Sequence, residues 1–229
     1  MPRADALHRS AAIFTDRSQA GRILASKLSE YARRDDVLVL ALPRGGVPVA
    51  YEIAIALDVP LDVFVVRKVG LPGHEELAIG AIASGGSRLL NEDVIEAYDV
   101  DPRDVDDVLR REQAELERRE HEYRGDRRFP DLTAKTVILV DDGLATGSTM
   151  QVAVEALRRE GAKRIVVAVP VAPPETCAAF RHIADAIICA VTPEPFYAVG
   201  LWYADFSQTT DEEVRELLEA GRRSDAAVR

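Results

Sequence analysis

Five apolar bursts of strand length punctuate the chain: VLVLAL (37–42), LDVFVV (61–66), TVILVD (136–141), RIVVAVPV (164–171) and DAIICAV (185–191). They are continuous runs rather than alternations of apolar and polar positions, the pattern of parallel strands covered on both faces. Segments of helical spacing lie between them. In SQAGRILASKLSEYARR, residues Ala20, Ile23, Leu24, Leu28 and Tyr31 form one apolar stripe. VPVAYEIAIAL behaves in the same way, and TMQVAVEALRREG ends at Gly161, a helix stop. Strand–helix–strand repetition predicts an α/β fold of three layers, α/β/α, with a mainly parallel central sheet and right-handed crossovers. No repeat, low-complexity tract or Pro-rich linker interrupts the pattern, so residues 1–229 read as a single domain.

One stretch departs from that rhythm. Residues 103–124, RDVDDVLRREQAELERREHEYR, are mostly charged, with Val105, Val108, Leu109, Leu116 and Tyr123 as a thin apolar stripe. The spacing predicts a solvated helix packed on the flank of the domain, within a charged helical insertion over 92–130.

Composition narrows the function classes. Apolar content of 47% and charged content of 30% suit a globular domain. A net charge of −10 argues against nucleic acid or an anionic membrane as partner, because both require a basic field. MPRADALHRS has no apolar core of signal-peptide length, and no run approaches membrane-spanning length. Cys177 and Cys189 stand in no metal or redox spacing. Both are expected to pack as small hydrophobes in a reducing cytoplasm.

The densest chemistry lies in VILVDDGLATGST (137–149). Ligands of open parallel sheets bind beyond the carboxyl ends of the strands. Here a strand ends on two adjacent aspartates and a short loop leads into the helix TMQVAVEAL. The first turn of that helix offers unpaired N–H groups and a positive dipole end to an anion. Gly143 and Gly147 allow close backbone approach, and Thr146, Ser148 and Thr149 add hydroxyl donors. The paired carboxylates accept hydrogen bonds from a donor-rich group such as vicinal hydroxyls. The implied ligand is a ribose 5-phosphate. A P-loop would need a lysine after its second glycine, where Ser148 stands. A receiver domain would need a further aspartate at a later strand end, and Asp185 precedes its strand instead.

The whole run resembles the phosphoribosyl-pyrophosphate (PRPP) signature of type I phosphoribosyltransferases. The resemblance implies that Asp141 and Asp142 hold the ribose hydroxyls and that Ala145, Thr146, Gly147, Ser148 and Thr149 wrap the 5-phosphate. It also implies one antiparallel strand beside the parallel ones, a lid over 67–91, and a hood and tail over 192–229. A second anion loop should follow another strand, and PRGGVP follows VLVLAL. Arg44 can grip phosphate bidentately, and Gly45–Gly46 can form a backbone anion nest. The resemblance places a non-proline cis peptide at Pro43–Arg44. RKVGLPG is similar to the RK-x-x-x-LPG stretch of adenine phosphoribosyltransferases, one residue shorter. It implies that Arg67 and Lys68 neutralise departing pyrophosphate. LAIGAIAS and SRLLN read as a hairpin around Gly85–Gly86. His74, Glu75 and Glu76 in the preceding loop are expected in solvent.

EPFYAVGLWYADF (194–206) concentrates aromatics in a chain with 6% of them. It resembles the aromatic–x–Val–Gly segment with which purine enzymes of this fold stack the base. The base contacts it implies are Tyr197, with Phe196 as alternate, and backbone near Val199. LPRGGVPVA, RKVGLPG and VDDGLATG together resemble a bacterial branch of that family.

The implied chemistry is substitution at C1 of PRPP by a base nitrogen, releasing pyrophosphate, with Asp141, Asp142, Arg67 and Lys68 as the catalytic set. Mg²⁺ is expected as a chelate of PRPP oxygens near Asp141 and Asp142 rather than through a dedicated protein cage. Enzymes for 6-oxopurines usually carry an aspartate where this chain has Ala145. The loop is nearer to adenine enzymes, whereas the hood is shared with the 6-oxopurine group; the two signals conflict, so a purine is favoured while a non-classical acceptor stays open. A cytoplasmic homodimer acting in nucleotide salvage is implied by the fold's other members. A PRPP- or nucleotide-sensing protein without turnover is the alternative, followed by a phosphorylase or hydrolase using the same sugar site.

Overall fold

The computed structural model describes residues 13–228, with side chains through Arg222. MPRADALHRS, read above for a signal-peptide core, lies outside the described residues. Five strands follow the predicted bursts: β1 (Val37–Ala41), β2 (Leu61–Val63), β6 (Thr136–Val140), β7 (Arg164–Val171) and β8 (Ala186–Val191). They form one parallel sheet in the order β2-β1-β6-β7-β8. Successive side chains of a strand face opposite sides. Accordingly Val37, Val39 and Ala41 join one apolar cluster, while Leu38 and Leu40 join the other. Helices α1 (Arg17–Ser26), α2 (Gly46–Leu57) and α7 (Asp211–Val228) contribute Leu24, Ile53 and Leu218 to the first cluster. Helices α5 (Ser148–Arg159) and α6 (Pro174–Phe180) contribute Leu157 and Phe180 to the second. Two covered faces explain why the strands read as uninterrupted apolar runs.

The antiparallel pairing lies elsewhere than expected. LDVFVV breaks after Val63, and the chain leaves the central sheet. Strands β3 (Val66–Leu71), β4 (His74–Ala83) and β5 (Arg88–Leu90) form a separate three-stranded antiparallel sheet. Its β4–β5 turn carries Gly85 and Gly86, both at positive φ. One face of this sheet is not loose: Val69, Leu71, Ile79 and Ile82 are fully buried in the main core.

A short helix α3 (Glu92–Ala97) precedes the charged helix α4 (Pro102–Arg124). Asp101 caps α4 by accepting from Arg103 N, with Pro102 in the first turn. All five residues of its thin stripe are buried, against the antiparallel sheet and α7. In α1 the stripe is narrower than predicted. Ala20 and Leu24 are buried there, but Ile23 is 39% exposed on the outer side. Cys177 of α6 and Cys189 of β8, expected as separate small hydrophobes, are joined in a disulfide. Helix α6 lies directly on β8 and brings the two residues together, which their spacing did not reveal. Among the described residues no helix is long and apolar enough to cross a membrane.

Candidate active site

β6 is the middle strand of the parallel sheet, and Asp141 and Asp142 stand directly beyond its carboxyl end. The following loop enters α5 through Gly147, whose left-handed backbone (φ 78°, ψ 6°) favours glycine. A Cβ there would also lie 2.5 Å from the Phe180 ring. Thr176 of α6 donates to the Ala145 carbonyl at 2.9 Å, and the Thr146 and Ser148 hydroxyls lie 3.1 Å apart. Thr149 is exposed in the first turn of α5. Residues 145–147 thus form a turn that leads into Ser148 and Thr149 at the start of a twelve-residue helix, the arrangement that suits an anion.

The PRGG loop follows β1, the neighbour of β6. Its Pro43–Arg44 peptide is cis, as the resemblance implied. The two glycines serve a packing role that sequence reasoning missed. Gly45 is right-handed (φ −59°, ψ −33°) and Gly46 begins α2, so they do not form the alternating-hand nest expected above. A side chain on Gly45 would collide with the Asp142 carboxylate. One on Gly46 would come within 2.7 Å of the Val140 carbonyl and 3.0 Å of Asp141 Cα. Only glycine lets this loop lie against the acidic pair.

A second missed residue is Arg17. Its Nε donates to Asp142 Oδ2 at 2.8 Å, its second terminal nitrogen is 2.8 Å from the same oxygen, and Nη1 donates to the Ser207 carbonyl at 2.7 Å. The guanidinium carbon sits 3.9 Å from the Phe206 ring centre. Both side chains of the pair are largely sequestered, at 11% and 15% exposure. Tyr203 completes the surroundings by donating its hydroxyl to the Asp142 carbonyl at 2.5 Å. Burial holds that phenol well above its ordinary pKa, so it remains a donor.

Burial also raises the pKa of Asp141 well above the ordinary carboxylate range, and the Asp142 charge adds to it. The Asp142 N–H, which donates to Asp141 Oδ1 at 2.8 Å, and the Arg17 charge oppose that rise. Asp142 is raised by burial too, with Arg17 opposing through charge and hydrogen bonding. Arg17 is therefore the nearby cation that favours the ionised pair.

The hood is tied to the start of the chain. Ile13 and Phe14 donate backbone bonds to the Trp202 carbonyl, and Ala204 donates to the Phe14 carbonyl. Phe196 stacks on Trp202 with ring centres 6.3 Å apart, whereas Tyr197 is 78% exposed. Val199 packs on Gly143, at the root of the acidic loop. Of the cations expected for pyrophosphate, Arg44 and Arg67 are half-buried and Lys68 is exposed, and each is engaged elsewhere. Arg44 is 3.6 Å from Asp211, Arg67 donates twice to Glu112 of α4, and Lys68 Nζ donates to the Glu76 carbonyl. His74, Glu75 and Glu76 are exposed at the start of β4.

The model of the phosphoribosyl transferase domain matches residues 10–190, spanning both the acidic strand end and the PRGG loop. The chain belongs to the phosphoribosyltransferase family. Two Mycobacterium tuberculosis proteins, "Putative phosphoribosyl transferase Rv0571c" of strain H37Rv and its MT0597 counterpart of strain CDC 1551, are each 45% identical to this chain over 211 residues. That match covers 92% of this chain and 47% of each relative, so the chain spans about half their length. The crystal structure of TT1426 from Thermus thermophilus is 40% identical, with a TM-score of 0.77, over 90% of this chain and 97% of that one.

Proposed function

We propose that this phosphoribosyltransferase moves ribose 5-phosphate from PRPP to the nitrogen of a base, a purine in preference to others, and releases pyrophosphate. The observation that carries the reading is the convergence of Asp141–Asp142, the 145–149 turn at the start of α5 and the PRGG loop at adjacent strand ends. One end of that arrangement accepts hydrogen bonds and the other two attract anions, matching a sugar between two phosphate groups.

In this reading Asp141 and Asp142 accept from the ribose hydroxyls and lie near the positive charge that develops on the sugar. The 5-phosphate sits against residues 145–149. Arg44, Arg67 and Lys68 neutralise the pyrophosphate, the latter two after leaving their present partners. Two adjacent carboxylates beside a diphosphate suit Mg²⁺, which keeps most of its shell from substrate oxygens and water. When bound with PRPP, Mg²⁺ supplies charge neutralisation for the leaving group. Tyr197, Phe196 and Val199 border the base, with Ala145 leaving the acceptor without a carboxylate partner at that position. A cytoplasmic homodimer in nucleotide salvage completes the proposal; sedimentation velocity checks the dimer.

The decisive assay combines purified protein, Mg²⁺, PRPP and a panel of bases, with pyrophosphate release as the signal. Release with a purine is the expected result. PRPP binding without release for any base would overturn the transferase reading and support a sensing role.

A further inference from the structure

We infer that the charged helix α4, with the start of α7, keeps placeholder anions for the pyrophosphate-side cations: Glu112 for Arg67 and Asp211 for Arg44. This inference rests on the PRPP reading above. Arg67 Nε and Nη2 both donate to Glu112 Oε2, at 3.1 and 2.5 Å, and the side chains are 26% and 13% exposed. The other Glu112 oxygen faces Arg111 at 3.5 Å, across a more exposed approach. Asp211 Oδ2 lies 3.6 Å from Arg44, while its Oδ1 accepts from the hydroxyl of Tyr123, which is buried near the end of α4.

The helix that supplies Glu112 is firmly seated. Its last residue, Arg124, is buried, donates to Asp62 at 3.2 Å and to the Val63 carbonyl at 2.9 Å, and so locks α4 to the end of β2. Leu116 and Leu109 anchor the middle of the helix in the core. Residues 112 and 123 are three turns apart, roughly 16 Å along the axis. A guanidinium must release its carboxylate before the same donor fork can grip pyrophosphate, and the Glu112 pair, doubly bonded and the less exposed of the two, presents the larger obstacle. Carboxylate and phosphate compete for the same donor fork, which fits both anions. Glu112 and Asp211 are thus positioning residues that keep the cations folded back until a stronger anion arrives.

Calorimetric titration of pyrophosphate and of PRPP, each with Mg²⁺, into the native chain and its variants tests this. Glu112→Gln keeps the shape and removes the charge, so it should bind both ligands roughly tenfold more tightly. Glu112→Asp should stay close to the native affinity, and Asp211→Asn should gain less than Glu112→Gln, its ion pair being longer and more exposed. The gain must vanish in the double variant Glu112→Gln/Arg67→Ala. Equal or weaker binding by Glu112→Gln, with the native chain binding normally and the variant's circular dichroism unchanged, overturns the inference alone. A gain that survives removal of Arg67 also overturns it. Binding by no variant overturns both the inference and the PRPP reading.

Discussion

The two halves of the candidate site are built by opposite strategies. The half proposed for the sugar sits at the middle of the parallel sheet, where Asp141, Asp142, Arg17 and Tyr203 are held by short hydrogen bonds in a largely sequestered setting. The half proposed for pyrophosphate draws on Arg44 and Arg67, both half-buried, and on the exposed Lys68, each paired with a carboxylate or carbonyl of another element. The first is preorganised, with its geometry fixed before any ligand arrives. The second is charge-balanced in the absence of ligand and must be rearranged. A sugar has to be recognised by fixed direction, whereas a leaving group has to be gripped and then released. The contrast therefore follows the order of events the proposed reaction requires.

That contrast can be broken most directly on the sugar side. Asp142→Asn should leave the fold unchanged by circular dichroism and lower pyrophosphate release by about 10²-fold or more. Activity close to native would remove the ribose assignment. Gly45→Ala probes the seam between the halves, because the new methyl would meet the Asp142 carboxylate. It should weaken PRPP binding by roughly one to two orders of magnitude in a calorimetric titration, with displacement of the acidic pair as the cause.

Arg17→Ala sharpens the comparison through pH. Both aspartates already titrate above the ordinary range because of burial, and Arg17 opposes that rise. Removing the cation raises them further, so a proton is retained to higher pH. Ribose hydroxyls need ionised acceptors, so the acid limb of the kcat/KM profile should move to higher pH, with the loss shrinking as pH increases. Arg17→Lys should return the limb part of the way; an unmoved limb in Arg17→Ala would separate Arg17 from the pair. The smallest effect is expected at the exposed half. Arg44→Ala should weaken pyrophosphate binding only several-fold, and raised salt should erode the difference between variant and native chain.

Legibility in the sequence follows the range of the interactions. The strands and the stripe of α4 were readable because burial repeats with the period of a strand or helix. The acidic pair and the turn behind it were readable as neighbours because all thirteen residues are contiguous and their chemistry is local. Arg17 was not, since it meets Asp142 across 125 residues and no periodicity marks it. The PRGG glycines were singled out for the wrong local reason. Their need comes from the neighbouring strand end, which the sequence places nearly a hundred positions away. The departure of β3 from the central sheet was equally hidden, because LDVFVV carries one apolar run through the break after Val63. The Glu112–Arg67 pair belongs to the same category, a solvated-looking charge made specific by packing.

The pairing of residues 13–15 with the hood has a consequence for how the molecule comes into being. Arg17 reaches Ser207 across 190 residues of chain, so this closure has a very high contact order. During synthesis the acidic loop and the sheet around it can emerge before the hood has left the ribosome. The candidate site is then present in outline, without the Phe206 face and Ser207 carbonyl that help to steady Arg17. The hood, made after the sheet, thus finishes a site whose Arg17 was made well before it. A nascent chain halted after β8 should display the donor motif and still lack the settled charge balance of the complete domain.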